Sequence, residues 1–293
     1  VKDTLTRFVL DSAPVRGGIV RLDRAYLDAV SEHDYPKSVA YALGEMIAAV
    51  ALLASSLKWE GSLVFQFQSD GPLKLLCAEA GSGLLVRAVA SLAGDVHPDA
   101  DVIALMPNAR AVLTLDPKGT IQNSSMYQGI INVEPTGIAA TLEGYMLNSQ
   151  QVRTCVLLAA DDTCAVGMFV QKLPDNDTQG SEAFERIEAL TRTLHRDEML
   201  TLDAKTILHR LFHDESVRVM PEQSVQFACS CSTQRVLGAL RLMGRDDIAS
   251  LLEQHGQVDA RCQFCNKRYV FNAAALSTLF AEHSNVSGNT TKH

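Results

Sequence analysis

Short runs of apolar residues, broken by turn residues, fill the first 175 positions of this chain, with two longer helical stretches among them. Residues 5–10 and 17–22 carry strand-like runs, the second entered through Gly17-Gly18. A short helix is expected over 24–30. Pro36 introduces a stretch from Ser38 to Leu57 that is rich in strong helix formers and reads as one long helix. From Met46 to Ala54 this stretch is apolar on every side, which places the helix deep in a core. The run is too short to span a membrane.

Leu63 to Gln68 partly alternates, with Phe65 and Phe67 on one face. Asp70-Gly71-Pro72 is a turn signal, and Leu73 to Ala80 returns as the next strand. Further strands are expected over 84–90, 111–115 and 126–133, with a turn at Asp116-Pro117-Lys118-Gly119. Ile138 to Leu147 is helical, and 152–160 and 165–171 form a hairpin around Asp161-Asp162. Many short strands with few helices give an α+β fold with antiparallel-type sheets, not a doubly wound one.

At Pro174 the composition turns polar. Ser181 is expected to cap a helix in which Ala183, Ile187, Leu190 and Leu194 share a stripe. Asp203 caps a second, with Ala204, Ile207, Leu208 and Leu211 on one side. Helices this short need a surface to lie on. After Pro221 come two more helical stretches (234–242 and 246–252), ended at His255-Gly256, then strands at 258–261 and 269–271 and a helix over 273–280. The expected organisation is an N-terminal α+β domain (1–175), a helical linker (176–220), a small C-terminal domain (221–284) and a disordered tail (285–293).

Composition narrows the function. Hydrophobic residues make up 47% and charged residues 20%, as in soluble globular proteins. The net charge of −8 argues against general attraction to nucleic acid or anionic lipid. The N-terminus, Val1-Lys2-Asp3-Thr4-Leu5, lacks an apolar stretch with a cleavage site, so a soluble cytoplasmic protein is expected.

Of seven cysteines, Cys77, Cys155 and Cys164 lie in apolar strand contexts and are expected to be buried small hydrophobes. The other four are clustered as Cys229-Ser230-Cys231 and Cys262-Gln263-Phe264-Cys265. Two short pairs brought together supply four soft thiolates, the tetrahedral shell that zinc prefers. With no open position for water, such a site is structural or regulatory, not hydrolytic. A unit of about sixty residues is marginal on its core alone. Bound zinc contributes about 10–16 kcal/mol to such folds, so metal loss is expected to unfold it. The spacing alone fits either a static zinc staple or a redox switch. Metal-bound sulfurs are deprotonated and reactive toward oxidants where accessible. A disulfide within either pair would close a very small loop that restrains the chain little.

Other chemistries find little support. His209 and His213 share a helical face, but no third ligand is evident, so a solvated face is expected. Gly81-Ser82-Gly83 is a turn without the Lys-Ser/Thr of a phosphate loop. No nucleophile elbow or two-His metalloprotease motif is visible, so an enzyme is not expected. A disulfide reductase would need a CxxC opening a helix after a strand. The single Trp59 reads as packing. A zinc ribbon that binds nucleic acid is the rival reading, on Arg261, Lys267, Arg268 and Tyr269. Seven Lys/Arg against six Asp/Glu from Pro221 to His293 leave that segment near neutral.

The segments Phe227-Ala228-Cys229-Ser230-Cys231-Ser232, Arg235-Val236, Ala239-Leu240 and 261–271 (Arg-Cys-Gln-Phe-Cys-Asn-Lys-Arg-Tyr-Val-Phe) resemble the C-terminal domain of the heat shock protein 33 family, redox-regulated holdase chaperones. Arg16-Gly17-Gly18-Ile19-Val20-Arg21-Leu22, His33-Asp34-Tyr35-Pro36, Leu43-Gly44-Glu45-Met46, Gly71-Pro72-Leu73 and 148–154 are similar to its N-terminal part, although Gln150 stands where an acidic residue is expected. The resemblance implies an inactive reduced form that holds one zinc on Cys229, Cys231, Cys262 and Cys265. It implies that oxidants with unfolding conditions join the four cysteines into two local disulfides. Zinc then leaves, the C-terminal domain and linker unfold, and the protein dimerises and holds unfolding clients without ATP. It implies no nucleic-acid or membrane partner.

Overall fold

The register of the first hairpin follows from one side chain. In β1 (Thr4–Leu10) and β2 (Val15–Leu22), Phe8 lies opposite Gly17. A Cβ at Gly17 would stand 2.2 Å from the Phe8 ring, so glycine is what lets the ring lie across the strand. Next come α1 (Arg24–Val30) and α2 (Lys37–Ser55), where Pro36 supplies the carbonyl that accepts from Val39 and Ala40 N–H. Then follow β3 (Gly61–Gln68), β4 (Leu73–Gly81), β5 (Leu85–Leu92), β6 (Arg110–Pro117), β7 (Tyr127–Asn132) and α3 (Ile138–Gln150). The hairpin β8 (Thr154–Ala160) and β9 (Ala165–Lys172) turns at Asp161, whose side chain accepts from Thr163 and Cys164 N–H. After it come α4 (Thr178–Thr191), α5 (Arg196–Thr201) and α6 (Ala204–Phe212), then β10 (Val217–Val219), β11 (Gln223–Ser224) and β12 (Gln226–Phe227).

This computed structural model describes residues 3–56, 61–117, 126–174 and 178–281. Trp59, the Lys118-Gly119 half of the expected turn, residues 175–177 and the tail at 285–293 lie outside them. The chain divides into two compact units, Val1–Ala228 and Cys229–His293.

Two six-stranded sheets build the first unit. One runs β10-β1-β2-β9-β8 with β11 also on β1, and the other runs β12-β5-β4-β3-β6-β7. Pairing is antiparallel except for β12 on β5. Helix α2 packs against β2, β8 and β9 of the first sheet and against β3, β4 and β5 of the second. A helix with sheet on two sides must be apolar all round, as the sequence is here. Val39, Leu43, Met46, Ile47, Val50 and Leu52 are all buried. Each such side chain stabilises the fold by about 1.5–3 kcal/mol. Among the described residues α2 is the one helix with the length and composition to cross a membrane, and its apolar surface is spent inside the protein.

The far face of the first sheet is covered by the helices after 177. Phe184, Ile187, Ile207, Leu208, Leu211 and Phe212 form one buried cluster with Phe8, Ile19, Met168 and Val170. The Phe8 and Phe212 rings lie 5.9 Å apart. Arg153, just ahead of β8, pairs with Glu185 and Glu188 of α4, and Arg192 pairs with Glu143 of α3. Strand β9 is therefore buried on both faces. Helix α4 starts ahead of Ser181, which lies within it. Asp203 caps α6 as expected, accepting from Thr206 N–H at 2.9 Å. Helix α5 was not expected. His195 and Glu198 close a capping box that lets so short a segment hold its turn.

The division between units falls after Ala228, whereas the sequence pattern placed a boundary at Pro221. The reason is pairing. Strands β11 and β12 continue the two sheets, and Ala228 N–H donates to Val86. The expected linker of 176–220 likewise belongs to the first unit by its packing.

The second unit consists of α7 (Thr233–Met243), α8 (Arg245–His255), the hairpin β13 (Gln257–Arg261) and β14 (Arg268–Asn272), and α9 (Ala273–Ala281). Ser232 caps α7 by accepting from Arg235 N–H, and Gly256 ends α8 in the left-handed conformation. Its buried core is Leu240, Ile248, Val258, Tyr269, Phe271 and Leu276.

Candidate metal centre

Cys229 and Cys231 lie on the extended segment that leads into α7. Cys262 and Cys265 sit in the turn between β13 and β14. That turn is closed by Asn266 N–H on the Cys262 carbonyl (2.8 Å) and Cys262 N–H on the Lys267 carbonyl (3.0 Å), with Asn266 left-handed at φ 52°. The hairpin register thus points two sulfurs at the pair ahead of α7.

The four Sγ atoms lie within 4.8 Å of one another. Cys229 and Cys262 sulfurs are 3.6 Å apart, and Cys231 and Cys265 sulfurs 3.5 Å. Thiolates about 2.3 Å from a tetrahedral ion would be separated by about 3.8 Å, so the donor set and its spacing fit zinc. All seven cysteines are free thiols, and the four clustered ones are half-buried.

Proton affinity is unequal across the cluster. Burial pushes Cys231 up, but hydrogen bonds from Tyr269 and the neighbouring thiols outweigh it and bring it down to about 7. Burial pushes Cys265 up to about 12, with the Lys267 N–H pulling the other way. Cys229 is also raised, again by burial first. Crowded sulfurs cannot all carry charge without a cation to share it.

The other three cysteines are a contrast. Cys77, Cys155 and Cys164 are buried as expected, and burial pushes the first two up to about 12 and raises the third. They are inert packing groups by this measure. His209 and His213 are exposed, with rings 6.4 Å apart, and no third ligand joins them among the described residues. The basic set of the nucleic-acid reading is otherwise engaged in part: Arg268 pairs with Asp259, and Lys267 lies 5.5 Å over the Tyr269 ring.

Tyr269 is the group that the sequence did not reveal as part of this site. Its hydroxyl donates to Cys231 Sγ at 3.1 Å. Period-two alternation with Phe271 could have turned it inward, but nothing in the spacing links it to Cys231.

Comparison with known proteins bears on what this site serves. A family model described as Hsp33 protein matches residues 3–272. The chain belongs to the Hsp33 family. The 33 kDa chaperonin of Chromobacterium violaceum is 40% identical over 278 residues, covering 95% of this chain and 94% of that one. That of Ectopseudomonas mendocina is 40% identical over the full length of both. The crystal structure of the 33 kDa chaperonin of Thermotoga maritima shares the fold, with a TM-score of 0.84 at 19% identity over 97% of this chain and 99% of that one. Hsp33 membership thus identifies the chain with a chaperone family, as the resemblance implied.

Proposed function

We propose that this Hsp33 chain is an ATP-independent holdase, switched on by oxidation of Cys229, Cys231, Cys262 and Cys265, that acts on unfolding proteins in the cytoplasm. The gathering of four sulfurs within 4.8 Å is the observation that carries this reading. Bound there, one zinc would hold the sulfurs as thiolates and clamp the start of α7 to the β13–β14 turn.

Oxidation removes that donor set. Each pair, Cys229 with Cys231 and Cys262 with Cys265, gives up two electrons to one peroxide, which takes two protons from solvent because the sulfurs are thiolates. One S–S bond forms, the peroxide O–O bond breaks, and two waters result. Disulfide sulfurs are poor ligands, and two local loops cannot replace a clamp across thirty residues. The second unit then loses the support that its small core needs.

The client surface follows from the first unit. Helices α4 to α6 cover an apolar face that includes Phe8, Ile19, Met168 and Val170. Lifting them would uncover that face for unfolding clients and for a second oxidised copy. The test is zinc content and client aggregation followed together. Reduced protein should hold one zinc per chain and leave aggregation unchanged. Peroxide with mild heat should release the zinc and suppress aggregation. Equal suppression by the reduced form would refute the switch. Peptide mapping should find Cys229–Cys231 and Cys262–Cys265, and mainly cross-pair disulfides would overturn the local pairing.

A further inference from the structure

Besides one another, the four sulfurs meet donors of two kinds. Backbone N–H groups act on two of them, that of Cys231 on Cys229 and that of Lys267 on Cys265. Cys231 instead receives the hydroxyl of Tyr269. That phenol is tightly held. Its ring is buried in the core of the second unit, its backbone pairs with Ala260 across the hairpin, and Lys267 lies over one face. A tyrosine buried by its ring and wet or bonded at its tip fixes its hydroxyl in space.

We propose that Tyr269 is a positioning residue for Cys231: it aims the sulfur at the metal position and, by hydrogen bonding, draws charge from it, so that this thiolate stays bound and reacts slowly with oxidant. Groups that hydrogen bond to metal ligands set ligand orientation and electron density, and losing one lowers metal affinity about 10–100-fold. The tighter Cys-x-Cys spacing gives Cys231 less of a turn than Cys262 and Cys265 have, so an outside donor supplies the restraint. Tyr269 also joins the core to the metal site, since one side chain serves both.

This inference rests on the metal-thiolate reading above, and the test separates the two. Tyr269→Phe keeps the ring and removes only the hydroxyl. Reduced full-length wild type and variant are loaded with zinc. They are then challenged with a graded chelator and, separately, with limiting peroxide followed by alkylation and mass mapping of each cysteine. The variant should lose about tenfold or more in zinc retention. Its oxidation should speed up several-fold at Cys231 and much less at Cys265. Full-length protein with 3-fluorotyrosine at 269, a stronger donor that leaves the packing in place, should move the Cys231 rate the other way. Unchanged retention and unchanged Cys231 rate, in a background where wild type binds zinc, would overturn the role of Tyr269 alone. Equal acceleration at all four sulfurs would overturn it too, since that marks a loosened fold. Wild type that retained no zinc would overturn the reading beneath it.

Discussion

The two units bury apolar surface by different means. The first packs α2 between two sheets and covers a third face with α4 to α6, so that its core has many independent supports. The second gathers six buried side chains beside a four-sulfur cluster. Removing one support from the first should lower stability by a fraction. Removing the zinc proposed for that cluster should remove most of what holds the second. On the function proposed above, redundancy makes the first a scaffold, and dependence on one ligand makes the second a sensor.

The sharpest way to break this contrast is chelation under reducing conditions. Structural zinc contributes about 10–16 kcal/mol to such folds, more than the usual net stability of a domain. Hydrogen exchange should therefore show residues 229–281 losing protection while β2, β9 and α2 keep theirs. Retained protection in the second unit would refute its dependence on the metal. Next in size is Phe184→Ala, which leaves a cavity beneath α4. It should cost about 3–5 kcal/mol in denaturant unfolding, with zinc content unchanged. Loss of zinc in that variant would mean that the units do not depend on separate supports.

Smaller effects sharpen the picture of the first unit. Burial pushes Glu45 up to about 7, against the pull of Arg196. Folded chain then binds more protons than unfolded chain between about pH 4.3 and that value, so stability falls as pH rises through this window. Glu45→Gln should stabilise on the order of 1–2 kcal/mol at about pH 8, allowing for solvent screening, and the gain should vanish near pH 4. A gain that did not change with pH would show that the carboxyl is not the cause. Asp203→Ala removes the cap of α6 and should cost about 1 kcal/mol in thermal unfolding.

Much of this architecture is legible in the order of residues alone. Helix α1 falls on the expected residues, and the all-apolar run from Met46 to Ala54 marks a helix buried on every side. The cysteine spacing marks the cluster, because thiolate chemistry constrains ligand number more tightly than fold does. What escapes is short or non-local. Strands β10 to β12 are two or three residues long, below any readable period, and exist only because β1 and β5 offer edges to pair with. Helix α5 carries its signal in His195 and Glu198, a capping box without the usual Ser or Thr. The reach of Tyr269 to Cys231 depends on hairpin register and ring packing, which local sequence does not encode.

The position of α2 in the chain has a cost during synthesis. Of the strands that it touches, β1 and β2 are made before it, while β3, β4, β5, β8 and β9 all follow. Until Lys172 has left the ribosome, an oily cylinder has no complete groove to enter, and nascent chains with such surfaces aggregate readily. A member of a chaperone family would itself need shelter in its first seconds.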